Sequence, residues 1–289
     1  MFKTGHRPAL TGAKLQLHIF KMNELLSLSD IEALACDVLI RAGTSAANAA
    51  IVARSIRLAE RDGLRGAGLA ALPDVVEHLR CGRVDGEAAP RLDRTGPAAL
   101  SVDAGGGFAC PAIEAGHTHL LRAARDHGIA MLTLRNAYPM TLPAHPAESC
   151  AMAGLVGICM ATMRVPHAGG SDIAAPRQLA LALPNGDGPP RILQDRAVAG
   201  SAFAALVRVM AAGIPMQVSG PEGPVFEGPL GGAFRSGHCL LAILPDALHS
   251  VANPAEPDPV ADTLQDMRRR TDTQGVEVPT DLLQRIITA

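Results

Sequence analysis

Tyr138 is the only tyrosine in the 289-residue chain and sits in RNAYPMT, just before Pro139 and close to Pro143. A phenol can hand a proton to a carbonyl if its pKa is lowered. The plain alternative is a half-buried ring with its hydroxyl satisfied at the rim. His167, in VPHAGG, follows an apolar run and precedes two glycines, where an imidazole titrating near neutrality could face a cleft. Asp172 and Asp195 are candidate polar cleft groups, and each equally suits a cap or an ion pair. His117 and His119 stand two apart on a helical segment and diverge, which argues against a metal pair. His238 and Cys239 point to opposite faces of a strand, which suits core or surface roles. Cys110 lies near a helix start, where a thiol pKa can fall, although an ordinary thiol is the plainer reading. No metal-ligand set emerges.

The elements that must position these groups fall into two styles. From Ser27 the pattern is helical. Ser29 reads as an N-cap into IEALACDVLIRAG with Gly43 as the stop, and Ser45 opens a second helix that ends at Gly63. A third helix covers roughly 70–81 and closes at Gly82. Beyond residue 97 strand-like runs begin: AALSVDAGG (98–106), then a long helix stopping at Gly128, then the buried strand IAMLTLRNA (129–137). A helix over about 147–153, the strand GLVGICMATM, the pieces QLALALP and ILQDRAV, and HCLLAILP (238–245) follow. A short helix and GVEVPTDLLQRIIT end the chain, and the Gly- and Pro-rich span 213–233 reads as a loop. This order predicts an α/β fold, a mixed sheet flanked by helices, rather than a doubly wound sheet. The expected divisions are an N-terminal extension (1–22), a helical subdomain (23–97), a central α/β domain (98–237) and a C-terminal strand and helices (238–289) returning to the core.

Bulk properties narrow the function. With 48% hydrophobic residues the chain can bury a substantial core. Its 26 basic and 28 acidic residues give a net charge of −2, and no basic run with interleaved aromatics suggests a nucleic-acid or anionic-membrane surface. Aromatic content of 2% leaves few rings for base stacking or for holding a flavin. Six dispersed cysteines without a CxxC pair read as reduced thiols. No window of eighteen apolar residues predicts a membrane span, and the basic first twenty residues lack a signal-peptide core. A poorly ordered extension, with Met22 as a candidate start, and a cytoplasmic location are the expectations.

GxGxxG after a strand, a Walker A loop, HExxH and GxSxG are all absent. Taken in order, however, ERDGLRGAGLAALPDVVEHLRCGRV, LSVDAGGGF, HLLRAARDHGIAMLTLRNA, AMAGLVGICMATM, VPHAGG, QLALALP, LQDRAVA, GHCLLAILPDAL and QGVEVPTDLLQRI resemble one family across residues 23–289. That family is the non-Rossmann malate/L-lactate dehydrogenases, which include sulfolactate, ureidoglycolate and diketogulonate dehydrogenases and cyclic imino acid reductases. The resemblance implies a mixed sheet with a helical N-terminal unit, NADH or NADPH as cofactor, and a homodimer.

It also marks where the chain departs from the pattern. The family's Ser-His-Gly, with an acid/base histidine, falls on Gly66-Ala67-Gly68, and its carboxylate-binding arginine falls on Ala71. A methyl group neither delivers a proton nor clamps a carboxylate. Arg65 is the nearby cation that could reach the same cleft. The second family histidine, in Arg-Asn-Ser-Asn-His-Phe-Gly, falls on Pro139, with Tyr138 at the preceding asparagine, while Arg135 and Asn136 are retained. Pro143 and Pro146 intrude where the next helix begins. On the cofactor side, Gly-Thr-Asn-Pro becomes Ala175-Pro176-Arg177-Gln178. Asp-x-Ala-Thr-Ser keeps Asp195 and Ala197 but has Val198 and Ala199, and the His-Lys-Gly-Tyr-Gly helix has no counterpart.

The expected sites are therefore Tyr138 and His167 for catalysis, Arg65, Arg135, Asn136 and Asp172 for substrate, Arg177 and Asp195 for NAD(P)H, and no metal. Three functions stay open: a divergent NAD(P)H oxidoreductase for a small 2-oxo or cyclic imino acid; a non-redox cyclase, isomerase or dehydratase reusing the cleft; and an inert paralogue binding a metabolite or partner.

Overall fold

The computed structural model describes residues 23–162, 177–195, 210, 236–248 and 259–289. The extension 1–22, the loop 213–233, His167 and Asp172 lie outside the described residues.

The helical unit is built by local signals. Helix α1 (Leu28–Arg41) is capped by Ser27, not by Ser29 as expected: the Ser27 hydroxyl accepts from Asp30 N–H at 3.1 Å, and Asp30 Oδ2 accepts from Ser27 N–H at 3.2 Å. That reciprocal pair satisfies two orphan donors, a contribution of about 1 kcal/mol for the cap. Gly43 follows at φ +95°, a left-handed exit that a Cβ would strain. Helix α2 (Ala46–Arg61) is capped by Ser45 and ends at Asp62. Two 3-10 turns, Arg65–Ala67 and Leu69–Ala71, lead into α3 (Leu72–Arg80). The buried faces of these helices, including Ile31, Val52, Ile56, Leu72 and Val75, form one apolar cluster that also takes in Phe108, Tyr138 and Met140.

The seven-stranded sheet runs, from one edge to the other, through Arg91–Gly96 (β2), Ala99–Asp103 (β3), Ile129–Ala137 (β4), Ser236–Ile243 (β8), Val156–Thr162 (β5), Arg177–Asn185 (β6) and Gly188–Asp195 (β7). Strands β2 (Arg91–Gly96) and β3 (Ala99–Asp103) form a hairpin, with β2 at the edge. Strand β3, helix α4 (Ala109–His127) and β4 (Ile129–Ala137) make a parallel unit, and α5 (Ala144–Met152) then leads to β5 (Val156–Thr162). Pro143 caps α5 and Pro146 sits in its first turn, where a missing N–H costs little. Strands β6 (Arg177–Asn185) and β7 (Gly188–Asp195) extend the sheet, and β8 (Ser236–Ile243) lies between β4 and β5, antiparallel to both.

Residues after 236 serve both parts of the fold, with Leu240 and Ala242 in the sheet core and Val276, Val278, Leu283 and Ile286 in the helical one. Strand β8 completes the large sheet. Helix α6 (Pro259–Gln274) is sixteen residues long rather than short and packs on α2. Strand β9 (Val276–Pro279) pairs with β1 (Asn23–Leu26), and α7 (Thr280–Thr288) packs against α3. No helix among the described residues is long and apolar enough to cross a membrane.

Candidate active site

Register places most of the sequence-derived candidates on one edge of the sheet. Strands β3 and β4 run parallel, with Asp103 opposite Arg135. Across the sheet Ala137 meets Ser236, Thr162 meets Arg177, and Leu179 meets Asp195. The carboxyl ends of β3, β4, β5 and β7 therefore share one edge with the starts of β6 and β8. This edge is where open α/β sheets present ligand-binding loops. It carries Arg135, Asn136, Tyr138, Arg177 and Asp195. His167 and Asp172 belong to the connection from Thr162 to Arg177, and no described atom speaks for them.

Arg135 and Asn136 close on Asp103 rather than reaching outward. Asp103 accepts from Arg135 NH1 at 2.6 Å, from Asn136 Nδ2 at 3.0 Å and from Gly105 N–H at 2.9 Å. Partial burial works against the carboxylate, yet Asn136, the Gly105 N–H and Arg135 together hold its pKa below the usual range. Asn136 takes a left-handed conformation at φ 55°, within the register shift of β4 against β8 between Leu134 and Ala137. The loop after β3 then follows β4: Gly106 N–H donates to Asn136 O, Tyr138 N–H to Gly107 O, and Ala109 N–H to Tyr138 O.

Tyr138 is fully buried, not at a rim. Its ring stands edge-on to Phe108 at 5.4 Å, and its hydroxyl lies 2.8 Å from Nδ1 of His78, itself buried on α3. Arg83 NH1 is 3.1 Å from His78 Nε2. A guanidinium only donates, so Nε2 accepts and the Nδ1 proton faces the phenol oxygen. Burial, reinforced by the charge of Asp74, raises the Tyr138 pKa well above 10. A proton donor needs the opposite shift and access to substrate. The residue instead ties the strand edge to the helical unit.

Arg65 lies apart from this edge group, exposed on the first 3-10 turn, with no hydrogen bond to any of them. Its charge acts on Glu60, whose carboxyl accepts from Leu69 N–H at 2.7 Å. Burial raises the Glu60 pKa in spite of that bond and of Arg65. Glu60 occupies the space beside Gly68, where a Cβ would meet its Oε1 at 2.2 Å. Ala71 is buried in the helical core.

One constellation was not among the sequence candidates. Asp62, at the end of α2, accepts from Arg268 Nε at 2.7 Å and NH2 at 3.0 Å, from Arg61 Nε at 2.8 Å and from His145 Nε2 at 3.3 Å. Glu148 accepts from Arg268 NH1 and NH2 at 2.5 and 3.0 Å, and from Arg61 NH2 at 2.9 Å. Burial alone would raise the Asp62 pKa, but His145, Arg268 and Arg61 drive it far below the usual carboxylate range. Three helices, α2, α5 and α6, meet on these charges. His145 is 8% exposed, and its Nδ1 has no hydrogen-bond partner among the described residues. His238 Nδ1, on β8 between Leu134 and Ala161, is likewise buried without a partner among them, and burial lowers that ring's pKa to about 4. Nothing in the spacing of Asp62, His145 and Arg268 signals their meeting, because the contacts span 83 and 206 residues. Among the described residues no cluster of three or more His, Cys, Asp or Glu could hold a metal.

The fold is that of solved enzymes. Δ1-piperideine-2-carboxylate reductase from Pseudomonas syringae superposes with a TM-score of 0.75 over 92% of this chain and 99% of that one, at 23% identity. Malate dehydrogenase from Pyrococcus horikoshii gives 0.77 over 98% and 96%, at 16% identity. Among curated proteins, Δ1-pyrroline-2-carboxylate reductase 1 of Burkholderia ambifaria is 34% identical over 169 residues, 57% of this chain and 50% of that protein. The (2R)-3-sulfolactate dehydrogenase (NADP+) of Chromohalobacter salexigens is 29% identical over 175 residues, 60% of this chain and 52% of its own. The match thus spans about half the length of these curated relatives. The family model for malate/L-lactate dehydrogenase matches residues 26–199, more than half of the chain. The chain belongs to the malate/L-lactate dehydrogenase family.

Proposed function

We propose that the protein is an NAD(P)H-dependent oxidoreductase that reduces a small 2-oxo acid or cyclic imino acid at the carboxyl edge of its sheet. The observation that carries this reading is the convergence of family membership with one sheet edge that carries Arg135, Asn136, Arg177 and Asp195. Reduction of cyclic imino acids is named for the Burkholderia ambifaria relative and oxidation of a small hydroxy acid for the Chromohalobacter salexigens one, which supports a small carboxylate as substrate.

The residues present fit a bound polar cofactor and substrate. The buried Nδ1 atoms of His145 and His238 are the kind of polar atoms that a ligand or ordered water satisfies. In this reading Arg177 and Asp195 hold the cofactor at the ends of β6 and β7, and the cofactor, when bound, supplies a hydride. The Asp103 clamp keeps Arg135 and Asn136 fixed at the strand end, so the backbone beside the substrate does not reorganise during reaction. Burial of Tyr138 against His78 holds the loop after β4 to the helical unit and helps exclude water. A homodimer is part of the proposal and is checked by light scattering.

Calorimetry with NADH and NADPH, followed by absorbance assays on Δ1-pyrroline-2-carboxylate, Δ1-piperideine-2-carboxylate and a panel of 2-oxo acids, tests the function. Saturable binding with turnover of one class supports it. Absence of binding to either nucleotide removes it. A second reading, proton-transfer chemistry without hydride at the same edge, is favoured by the methyl groups of Ala67 and Ala71 where the family pattern has polar side chains. Small-acid binding without nucleotide binding would select that reading.

A further inference from the structure

We propose that His145, oriented by Asp62, is the group that exchanges a proton with the substrate; this rests on the oxidoreductase reading above. Asp62 lies four residues before Gly66, and His145 six residues after Pro139. These are the two segments where the family pattern would put its histidines, so the dyad joins the same two walls by a different pair of side chains. His145 sits in the first turn of α5, immediately after the loop leaving β4.

The geometry is that of an oriented imidazole. The Asp62 carboxylate accepts from Nε2–H at 3.3 Å, which leaves Nδ1 as the working nitrogen. Nδ1 is buried and has no partner among the described residues. Leaving a buried ring nitrogen without a partner is costly, so its persistence calls for a role. The charges around the ring come from three helices: Asp62 and Arg61 on α2, Glu148 on its own helix, and Arg268 on α6. Two acids balance two arginines, and the imidazolium formed at His145 is held by the carboxylate nearest to it.

In the reducing direction, the Nδ1 proton goes to the substrate's carbonyl oxygen or imine nitrogen. The electron pair of the C=O or C=N π bond takes up that proton. A bound dihydronicotinamide would supply the carbon with its hydrogen and two electrons as hydride, being oxidised in exchange, and solvent reprotonates the imidazole.

The test uses the full chain, His145→Asn and wild type. With turnover established, His145→Asn should lower kcat/KM by about 10²–10⁴-fold while nucleotide affinity is retained. Wild-type kcat/KM should fall on the basic side of its pH profile if a protonated side chain supplies the proton, and this limb should vanish in His145→Asn. Asp62→Asn, which removes the positioning carboxylate, should move the limb to lower pH. Unchanged kcat/KM and an unmoved profile in His145→Asn, in a protein that turns over, overturn the dyad and leave the oxidoreductase reading intact. A ligand-only readout covers variants that fold poorly: in wild type labelled with 15N-histidine, saturating pyrrole-2-carboxylate, a planar ring acid, should shift the Nδ1 resonance of His145. If the wild type binds no nucleotide, the oxidoreductase reading falls by itself. A resonance that stays put under saturating ring acid then overturns the dyad as well.

Discussion

Arg268→Met offers the sharpest measure of what holds the site's three helices together. The side chain is 8% exposed and makes two hydrogen bonds to Asp62 and two to Glu148, whose side chains are 2% and 9% exposed. Methionine fills a similar volume but leaves two buried carboxylates sharing Arg61 as their one remaining arginine. Breaking a buried pair by removing one partner costs about 3–5 kcal/mol, because a charge is left uncompensated. Arg61 still reaches both acids, at 2.8 and 2.9 Å, so the lower end, about 3 kcal/mol, is expected. At roughly 2–4 °C per kcal/mol this is a fall in Tm of about 6–12 °C.

The pH dependence fixes the cause. Asp62 has a folded pKa below its unfolded value, so its stabilisation is fully present above the unfolded pKa of about 4. It is lost as pH falls from there towards the folded value. Arg268→Met raises that folded value, so the gap between wild type and variant should narrow as pH drops below about 4. Urea unfolding at pH 7 and at pH 3, followed by far-UV circular dichroism and by the fluorescence of the single Tyr138, measures both. A cost below about 1 kcal/mol at pH 7, or a gap that widens in acid, would refute the reasoning.

Three further outcomes follow from other parts of the molecule. Tyr138→Phe removes the hydroxyl that meets His78 at 2.8 Å, and should cost about 1–3 kcal/mol in denaturant unfolding while changing turnover only a few-fold. Gly68→Ala places a methyl 2.2 Å from Glu60 Oε1, a carboxyl tethered to Leu69 N–H. It should destabilise by about 1–3 kcal/mol, and Glu60→Asp in the same chain should recover part of the loss. In thiol titration of the native protein, exposed Cys81 should react first and half-buried Cys36 more slowly. Cys110 and Cys150, pushed up to about 12 by burial, should react only after denaturant is added.

What was legible in the sequence is what local chemistry decides. The Ser45 cap, the stop at Gly43 and the strand 129–137 follow from caps, glycines and an unbroken apolar run. The edge strand β2 was missed because RLDRTG faces solvent along most of its length and carries no alternation. The length of α6 was underestimated for a related reason: its deeply buried anchor, Arg268, is a cation, and apolar periodicity cannot register a charge that folds inward. The place of β8 between β4 and β5 depends on pairing across about a hundred residues, which no local pattern encodes.

The same distinction separates Tyr138 from His145. Tyr138 drew notice by being unique and by its aligned position, yet those properties describe a packing role: it carries the strand edge into the helical core through Phe108 and His78. His145 is one of ten histidines, with no motif around it. Its character comes from Asp62, 83 residues earlier, and from Arg268, more than a hundred residues later. Arg268 draws Asp62 and Glu148 together, Asp62 in turn holds Nε2 of the imidazole, and Nδ1 has no partner among the described residues. The proposed proton-transferring group at the start of α5 is thus a product of three helices meeting, which is why no local motif announces it.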